Sequence, residues 1–461
     1  MRNDLKIFNE IVEVLLQEEE KTPVVKPIPA TELFDTLDLD LNEDPMIDEA
    51  FKDSLQKLIL HTPRTATKLF FNQLFGGRSG RAMIGELLAA MMNNSMYTYK
   101  VGGPMIGVEK VIVNRLLKMI NYPESAGGTF TAGGSMSNFM GMLMARDAFD
   151  HTARFHGVPQ GMIAYTSKES HYSVQKNAAF IGMGRNNIRY VPADDSGGMI
   201  PGALDEMIQA DKEAGLKPFM VNATSGTTVL GAFDPIRAIS AVCKNHQLWL
   251  HVDGAFGGSA LFSKKWEHLM DGVELSDSFC INAHKMLGPP MACSMIFARD
   301  QKHLYDSFAN EASYLYQTHD DGFNPGKISF NCGRRNDALK FWTLWKSVGT
   351  KGLEQIVDHE FHLAKVAKEY VKNHPDYTVY GPDNSVSICF NYKDLDPKAL
   401  CNSLYEAGEI MVGYGSFRSD RFVRLVTVNS GNSEADLMHF FKKLEAFAAK
   451  HEEELSVKVS S

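Results

Sequence analysis

Between about residues 105 and 300 the sequence alternates short, almost unbroken apolar runs with stretches of helical periodicity. The runs are GMIAYTS (161–167), NIRYVPA (187–193), PFMVNAT (218–224), LWLHVDG (248–254) and MACSMIFA (291–298). A strand with one wet face alternates apolar and polar residues, whereas a strand covered on both faces reads as a continuous apolar run. Helical stretches such as PIRAISAVCKNHQ (235–247) lie between the runs. The alternation predicts an α/β fold with a mostly parallel central sheet and helices on both faces.

A helix is expected over GLEQIVDHEFHLAKVAKEYVKNH (352–374), followed by strands in YTVYG, SVSICFNY and RFVRLVTVN and a final helix to about 450. These predict a smaller C-terminal α/β domain over 346–461, after a large domain over 96–345. Residues 1–95 form an N-terminal helical and extended segment. In its first twenty residues Leu5, Phe8, Val12 and Leu15 keep helical spacing, which predicts an amphipathic helix packed on its own chain or on a dimer partner. The Pro-rich and acidic stretch 21–45 reads as an extended connection.

The net charge of −9 argues against nucleic acid or an anionic membrane as a main partner. No apolar run reaches membrane-spanning length, and the first residues lack a signal-peptide core. Six scattered cysteines without metal-ligand spacing suit a reduced, cytoplasmic chain with no bound metal.

Four stretches hold candidate chemistry. Lys285 follows the apolar run of SFCINAHKML (278–287). It is either a snorkelling surface residue or a desolvated amine able to form a Schiff base. Gly133 and Gly134 open a helix before Ser135, as a plain cap or as a phosphate turn of exposed N–H groups. Asp253 ends an apolar strand, where it can cap a loop or face a protonated ring nitrogen. His171 precedes a helix, where it can cap, pack or stack on a flat ring. Taken singly, each admits the plain alternative. Together, in this order along one α/β domain, they are the parts that hold pyridoxal 5′-phosphate.

The stretches VNATSGTTVLGAFDP (221–235), LWLHVD, SHYSVQK (170–176), FFNQL (70–74) and MVGYGS (411–416) resemble the pyridoxal-phosphate-dependent group II amino-acid decarboxylases. The likeness runs from about residue 55 onward and is strongest to the branch holding glutamate and cysteine sulfinate decarboxylases. It implies the fold-type I, aspartate aminotransferase-like architecture and an obligate homodimer. By matching position it implies Lys285 as the Schiff-base lysine, His284 by the phosphate, His171 stacked on the ring and Asp253 at the ring nitrogen. Ser135 and Met136 would give backbone N–H groups to the phosphate. Thr224, Ala255 and Asn282 would line the ring. Arg424 would grip a substrate carboxylate near Gln73, and Tyr314 would protonate the carbanion from a lid in the Gly/Pro/Asp-rich stretch 311–327.

The chain departs from the family pattern at Ala283, where proline is usual, and at Gly254 and Phe256, where alanine and tryptophan are usual. It also reads TPRTATKL before FFNQL in place of a His-Pro-Arg segment. At Phe75, Ser95 and Tyr97 the residues match the cysteine sulfinate branch. The resemblance therefore implies decarboxylation of a small acidic amino acid, cysteine sulfinate to hypotaurine first, with cysteate and aspartate beside it. Glutamate decarboxylation to 4-aminobutyrate is the alternative, and an aminotransferase a more distant one.

Overall fold

A seven-stranded sheet forms where the sequence shows its apolar runs. In the computed structural model, which describes residues 1–21, 24–310, 316 and 321–455, the strands are β1 (Gly127–Thr131), β2 (Met162–Ser167), β3 (Ile188–Val191), β4 (Lys217–Thr224), β5 (Trp249–Gly254), β6 (Ser278–Asn282) and β7 (Ser294–Ala298). Their order is β1-β7-β6-β5-β4-β2-β3. Strands β3, β2, β4, β5 and β6 run parallel, and β7 is antiparallel to both of its neighbours. The expected mostly parallel sheet is therefore present.

Strand β1 lies in a glycine-rich stretch that signals a turn more than a strand. Its glycine has a packing reason: a Cβ on Gly128 would lie 2.5 Å from the Phe297 ring of β7. The helix Gly134–Phe149 packs on this sheet and buries Met140, Met142 and Met144 in the core shared with Phe219, Ile296 and Leu304. The helix Ile236–His246 turns Ile236, Ile239 and Cys243 inward, the stripe its sequence shows.

This sheet belongs to a unit formed by Arg78–His362 with Gly381–Val386. A second unit joins Met1–Gly77, Leu363–Tyr380 and Ser387–Ser461. The sequence-based segments 1–95, 96–345 and 346–461 divide the chain differently. The N-terminal residues share a unit with the C-terminal ones, and the helix expected from about 352 starts at Ala338. That helix runs to Asn373, interrupted at Gly349, whose φ of 70° breaks the helical path.

The second unit carries a four-stranded antiparallel sheet: β8 (Tyr377–Tyr380), β9 (Ser387–Tyr392), β10 (Gly413–Phe417) and β11 (Asp420–Val426), in the order β10-β11-β9-β8. Phe390, Leu404, Leu425, Phe440 and Phe441 form its core. The segment around Phe71 adds to it: Phe71 N–H donates to Met411 O at 2.7 Å, and Val426 N–H to Phe71 O at 3.1 Å.

The N-terminal helix Arg2–Lys21 packs on the helix Asp48–His61, with Asn3 donating to Asp48 and Lys52 paired with Glu10. It buries Ile11, while Leu5, Phe8 and Leu16 stay exposed. The described part of that stretch, 24–45, is mostly irregular, as its prolines predict, but it is more than a connection. Val24 and Leu37 are buried, and Val24 bridges Gly408 and Arg64 through backbone hydrogen bonds.

Candidate active site

Beyond the carboxyl ends of β4, β5 and β6, where open α/β sheets bind ligands, the large-sheet unit encloses a cavity of about 190 Å³. Ser135, His171, Thr224, Asp253, Ala255, Asn282 and Lys285 all line it, together with Asn138 and Phe256. The sheet register explains the convergence. Thr224, Asp253 and Cys280 sit side by side on adjacent parallel strands, so three strand ends deliver their side chains to one place.

Asp253 is buried with donors on both oxygens. Asn138 Nδ2 donates to Oδ2 at 2.7 Å, and the Ala255 N–H to Oδ1 at 3.1 Å. Gly254 follows, where a Cβ would meet the Phe279 ring at 2.3 Å, so the alanine usual there would not fit against this β6 side chain.

Lys285 is half-buried at the end of the short helix Ala283–Met286, with Nζ 5.9 Å from the centroid of the Phe256 ring. His171 precedes the helix Ser173–Phe180 and accepts the Ser173 N–H on Nδ1 at 3.2 Å. Burial lowers its pKa, against the pull of Asp253. The neutral ring then carries its proton on Nε2. His284 is buried and accepts the Cys293 N–H on Nδ1 at 3.0 Å, and burial pushes its pKa down to about 4.

The helix Gly134–Phe149 begins after Gly133, whose φ of 148° suits only glycine. A Cβ on Gly134 would lie 2.8 Å from Asn282 Nδ2 and 3.2 Å from Ala255 Cβ, so the glycine lets the helix start reach the cavity. First-turn N–H groups have no partner inside a helix. Met136 departs from the expectation: its N–H donates to Gly133 O at 3.0 Å, and the residue lines a neighbouring cavity with Phe130 and Arg334. Gly134 and Ser135 are the first-turn residues that line the cavity.

Thr224 shares a hydrogen bond with Ser170 at 3.1 Å, and its N–H donates to Asp234, whose pKa burial pushes up to about 7. Asn282 Oδ1 is buried without a hydrogen-bond partner among the described residues. An orphaned polar atom, flat rings, an amine and a strand-end carboxylate in one small cavity fit a planar, phosphorylated, cationic cofactor.

The substrate candidates fall in two groups. Ser95 and Tyr97 lie in the large-sheet unit, where Ser95 Oγ accepts the Arg334 N–H at 3.4 Å and the Tyr97 ring stacks on Tyr316 at 5.7 Å. Gln73, Phe75 and Arg424 belong to the other unit. There Arg424 is buried on β11 and donates to Asn72 O at 2.9 Å, and burial lowers its pKa. Gln73 is exposed, and the Phe75 ring lies 6.5 Å from that of Phe70. Tyr314 lies outside the described residues.

The model of the pyridoxal-dependent decarboxylase conserved domain matches residues 30–393. The chain belongs to the pyridoxal-dependent decarboxylase family. It is an enzyme, a carboxy-lyase, and its cofactor is pyridoxal 5′-phosphate. The decarboxylase is 35% identical to human cysteine sulfinic acid decarboxylase, over 90% of this chain and 89% of the relative. It is 34% identical to the bovine acidic amino acid decarboxylase GADL1, over 89% and 83% respectively. The crystal structure of mouse CSAD superposes with a TM-score of 0.92 at 32% identity, covering 96% of this chain and 98% of that one. The fold-type I architecture is thus shared, and among the described residues no helix is long and apolar enough to cross a membrane.

Asn138, His251 and Cys280 were not singled out by sequence, yet Asn138 and Cys280 bond to Asp253 and His251 bonds to Asn138. One signal was available. His251 stands two residues before Asp253 on a strand, so both side chains leave the same face.

Proposed function

We propose that the decarboxylase acts on small acidic amino acids, cysteine sulfinate first and cysteate and aspartate beside it. The observation that carries this is the likeness to cysteine sulfinic acid decarboxylase over 90% of the chain, joined to the Phe75, Ser95 and Tyr97 set that matches that branch. Arg424 supports it, because a planar fork of donors suits a carboxylate or sulfinate.

When bound, the cofactor supplies an aldehyde that takes an amine and a ring that accepts the electron pair left as carbon dioxide departs. The protein's residues hold and steer that chemistry. The Lys285 amine would anchor the cofactor through its aldehyde. Asp253 would keep a proton on the ring nitrogen, and the His171 imidazole would pack against the ring and exclude water. Gly134, Ser135 and His284 would hold the phosphate end, with the helix dipole favouring its charge. Thr224, Ala255 and Asn282 would line the ring edge. Tyr314 delivers a proton to the substrate's Cα.

The working form is a homodimer. The helix Gly80–Met92 leaves Ile84, Leu87, Leu88, Met91 and Met92 exposed, an apolar face that a second copy would cover. Light scattering should give twice the chain mass. None of the six cysteines forms a disulfide, which suits a reducing, cytoplasmic setting.

The test is carbon dioxide release from a panel of acidic amino acids by the purified protein with cofactor. Cysteine sulfinate should give the highest kcat/KM. Best turnover of glutamate would overturn the substrate while leaving the decarboxylase assignment intact.

A further inference from the structure

We infer that Asn138 and His251 are positioning residues for the Asp253 carboxylate, links in an oriented chain of hydrogen bonds that begins at Trp249. This rests on the proposal that Asp253 faces the cofactor's ring nitrogen.

The direction of every bond follows from the two ends. A carboxylate only accepts and an indole N–H only donates. Asn138 Nδ2 lies 2.7 Å from Asp253 Oδ2, so the amide oxygen points the other way, 3.1 Å from His251 Nε2. An amide oxygen only accepts, so His251 carries a proton on Nε2. At the other end Trp249 Nε1 donates to Ser278 Oγ at 2.9 Å, and Ser278 Oγ lies 2.8 Å from His251 Nδ1. Burial lowers the pKa of His251 to about 4, so the ring is neutral and Nδ1 takes the serine proton. Trp249, Ser278, His251, Asn138 and Asp253 are all buried. Reversing any one bond would set two donors or two acceptors face to face out of water.

Asn138 is fully used. Its second amide hydrogen goes to Ser173 Oγ at 3.1 Å, and its oxygen also receives the Cys280 thiol at 3.2 Å. The helix that bears it approaches His251 closely. A Cβ on Gly141 would lie 2.7 Å from His251 Nδ1, so the glycine makes room for the ring. The chain thereby fixes which way the amide faces, and the amide fixes Asp253 as an acceptor aimed into the cavity.

The experiment titrates apoprotein with pyridoxal 5′-phosphate and reads the dissociation constant and the visible absorbance. It compares Asn138→Ala, His251→Phe and His251→Gln. Glutamine can still donate to Asn138 and accept from Ser278; phenylalanine keeps ring volume and does neither. A hydrogen bond to a charged group sets the scale: Asn138→Ala and His251→Phe should weaken cofactor binding roughly 10- to 100-fold, with an altered absorbance band. Their kcat should fall while KM stays near the parent's. His251→Gln should recover most of the loss. Unchanged affinity and absorbance in Asn138→Ala would overturn the inference, and so would a His251→Gln as impaired as His251→Phe, which would mean packing alone. Should the phenylalanine variant not fold, Ser278→Ala replaces it. It removes the donor to Nδ1 together with the acceptor of the Trp249 N–H, should weaken binding several-fold, and overturns the inference if it does not. Asp253→Asn separates the two readings. If it binds and turns over normally, the role of Asp253 falls; if it alone is impaired, only the relay falls.

Discussion

Arg334 and Glu109 meet in a buried ion pair, with Arg334 Nη2 2.7 Å and 2.9 Å from the two carboxylate oxygens. Arg334 also donates to Met96 O at 3.1 Å and accepts the Met96 N–H at 2.9 Å, so the pair clamps the backbone beside Ser95 and Tyr97. Removing one partner strands a buried charge. Arg334→Met should cost about 3–5 kcal/mol, read as a lower urea midpoint. Arg334→Met with Glu109→Leu should recover part of it. A single variant as stable as the parent would contradict this.

Borohydride treatment of the holoenzyme should fix the cofactor to Lys285, and the modified peptide should contain residues 283–287. Lys285→Ala should yield no cofactor-bearing peptide. Label on any other lysine would remove Lys285 from its role.

Asp253→Asn should keep the fold and lose turnover by about 100-fold or more, because an amide cannot balance a charged ring nitrogen. Circular dichroism checks the fold and carbon dioxide release the rate. Activity within a few-fold of the parent would sink the assignment.

Chain-length selection should move with three side chains. One methylene of misfit is worth roughly 10- to 200-fold in kcat/KM. The parent should favour cysteine sulfinate and aspartate over glutamate by an amount in that range. Phe75→Ser with Ser95→Asn and Tyr97→Phe should shift the ratio toward glutamate. No change in the ratio would clear these positions of a part in selection.

Acid should destabilise the protein through its buried histidines. Burial holds His251 and His284 near about 4, whereas the unfolded chain titrates near about 6.5. Between those values the unfolded state binds protons that the native state does not, so stability rises with pH and is lost as pH falls through that window. Asp234, raised to about 7, acts in the opposite sense. His251→Gln should therefore give a shallower loss of apoprotein stability between about pH 6.5 and 4. Urea midpoints at several pH values would show it, and an unchanged slope would contradict it.

The strands β2, β4 and β5 were legible because burial on both faces leaves an unbroken apolar run. The direction of β7 was not, since an apolar strand reads the same either way. Lys285, Asp253 and His171 stood out through their neighbours, and the structure brings them to one cavity. Asn138 did not, because its significance lies in facing His251 and Asp253 across 113 and 115 positions of sequence. The union of the first 77 residues with the C-terminal ones was equally hidden. It depends on Phe71 reaching Met411 and Val426, pairings that no local periodicity encodes.

That pairing has a temporal side. Chains emerge from the ribosome N-terminal end first, and domains generally fold as units. The stretch from Arg78 to His362 supplies nearly all of its own unit, so its sheet can assemble while synthesis continues. The segment around Phe71, made early, must wait more than 300 residues for the strand that completes its hydrogen bonds. During that delay Leu69, Phe70 and Phe71, all buried in the finished molecule, lack their cover. Until then those three apolar side chains stand uncovered on the nascent chain, where a holding chaperone would shield them.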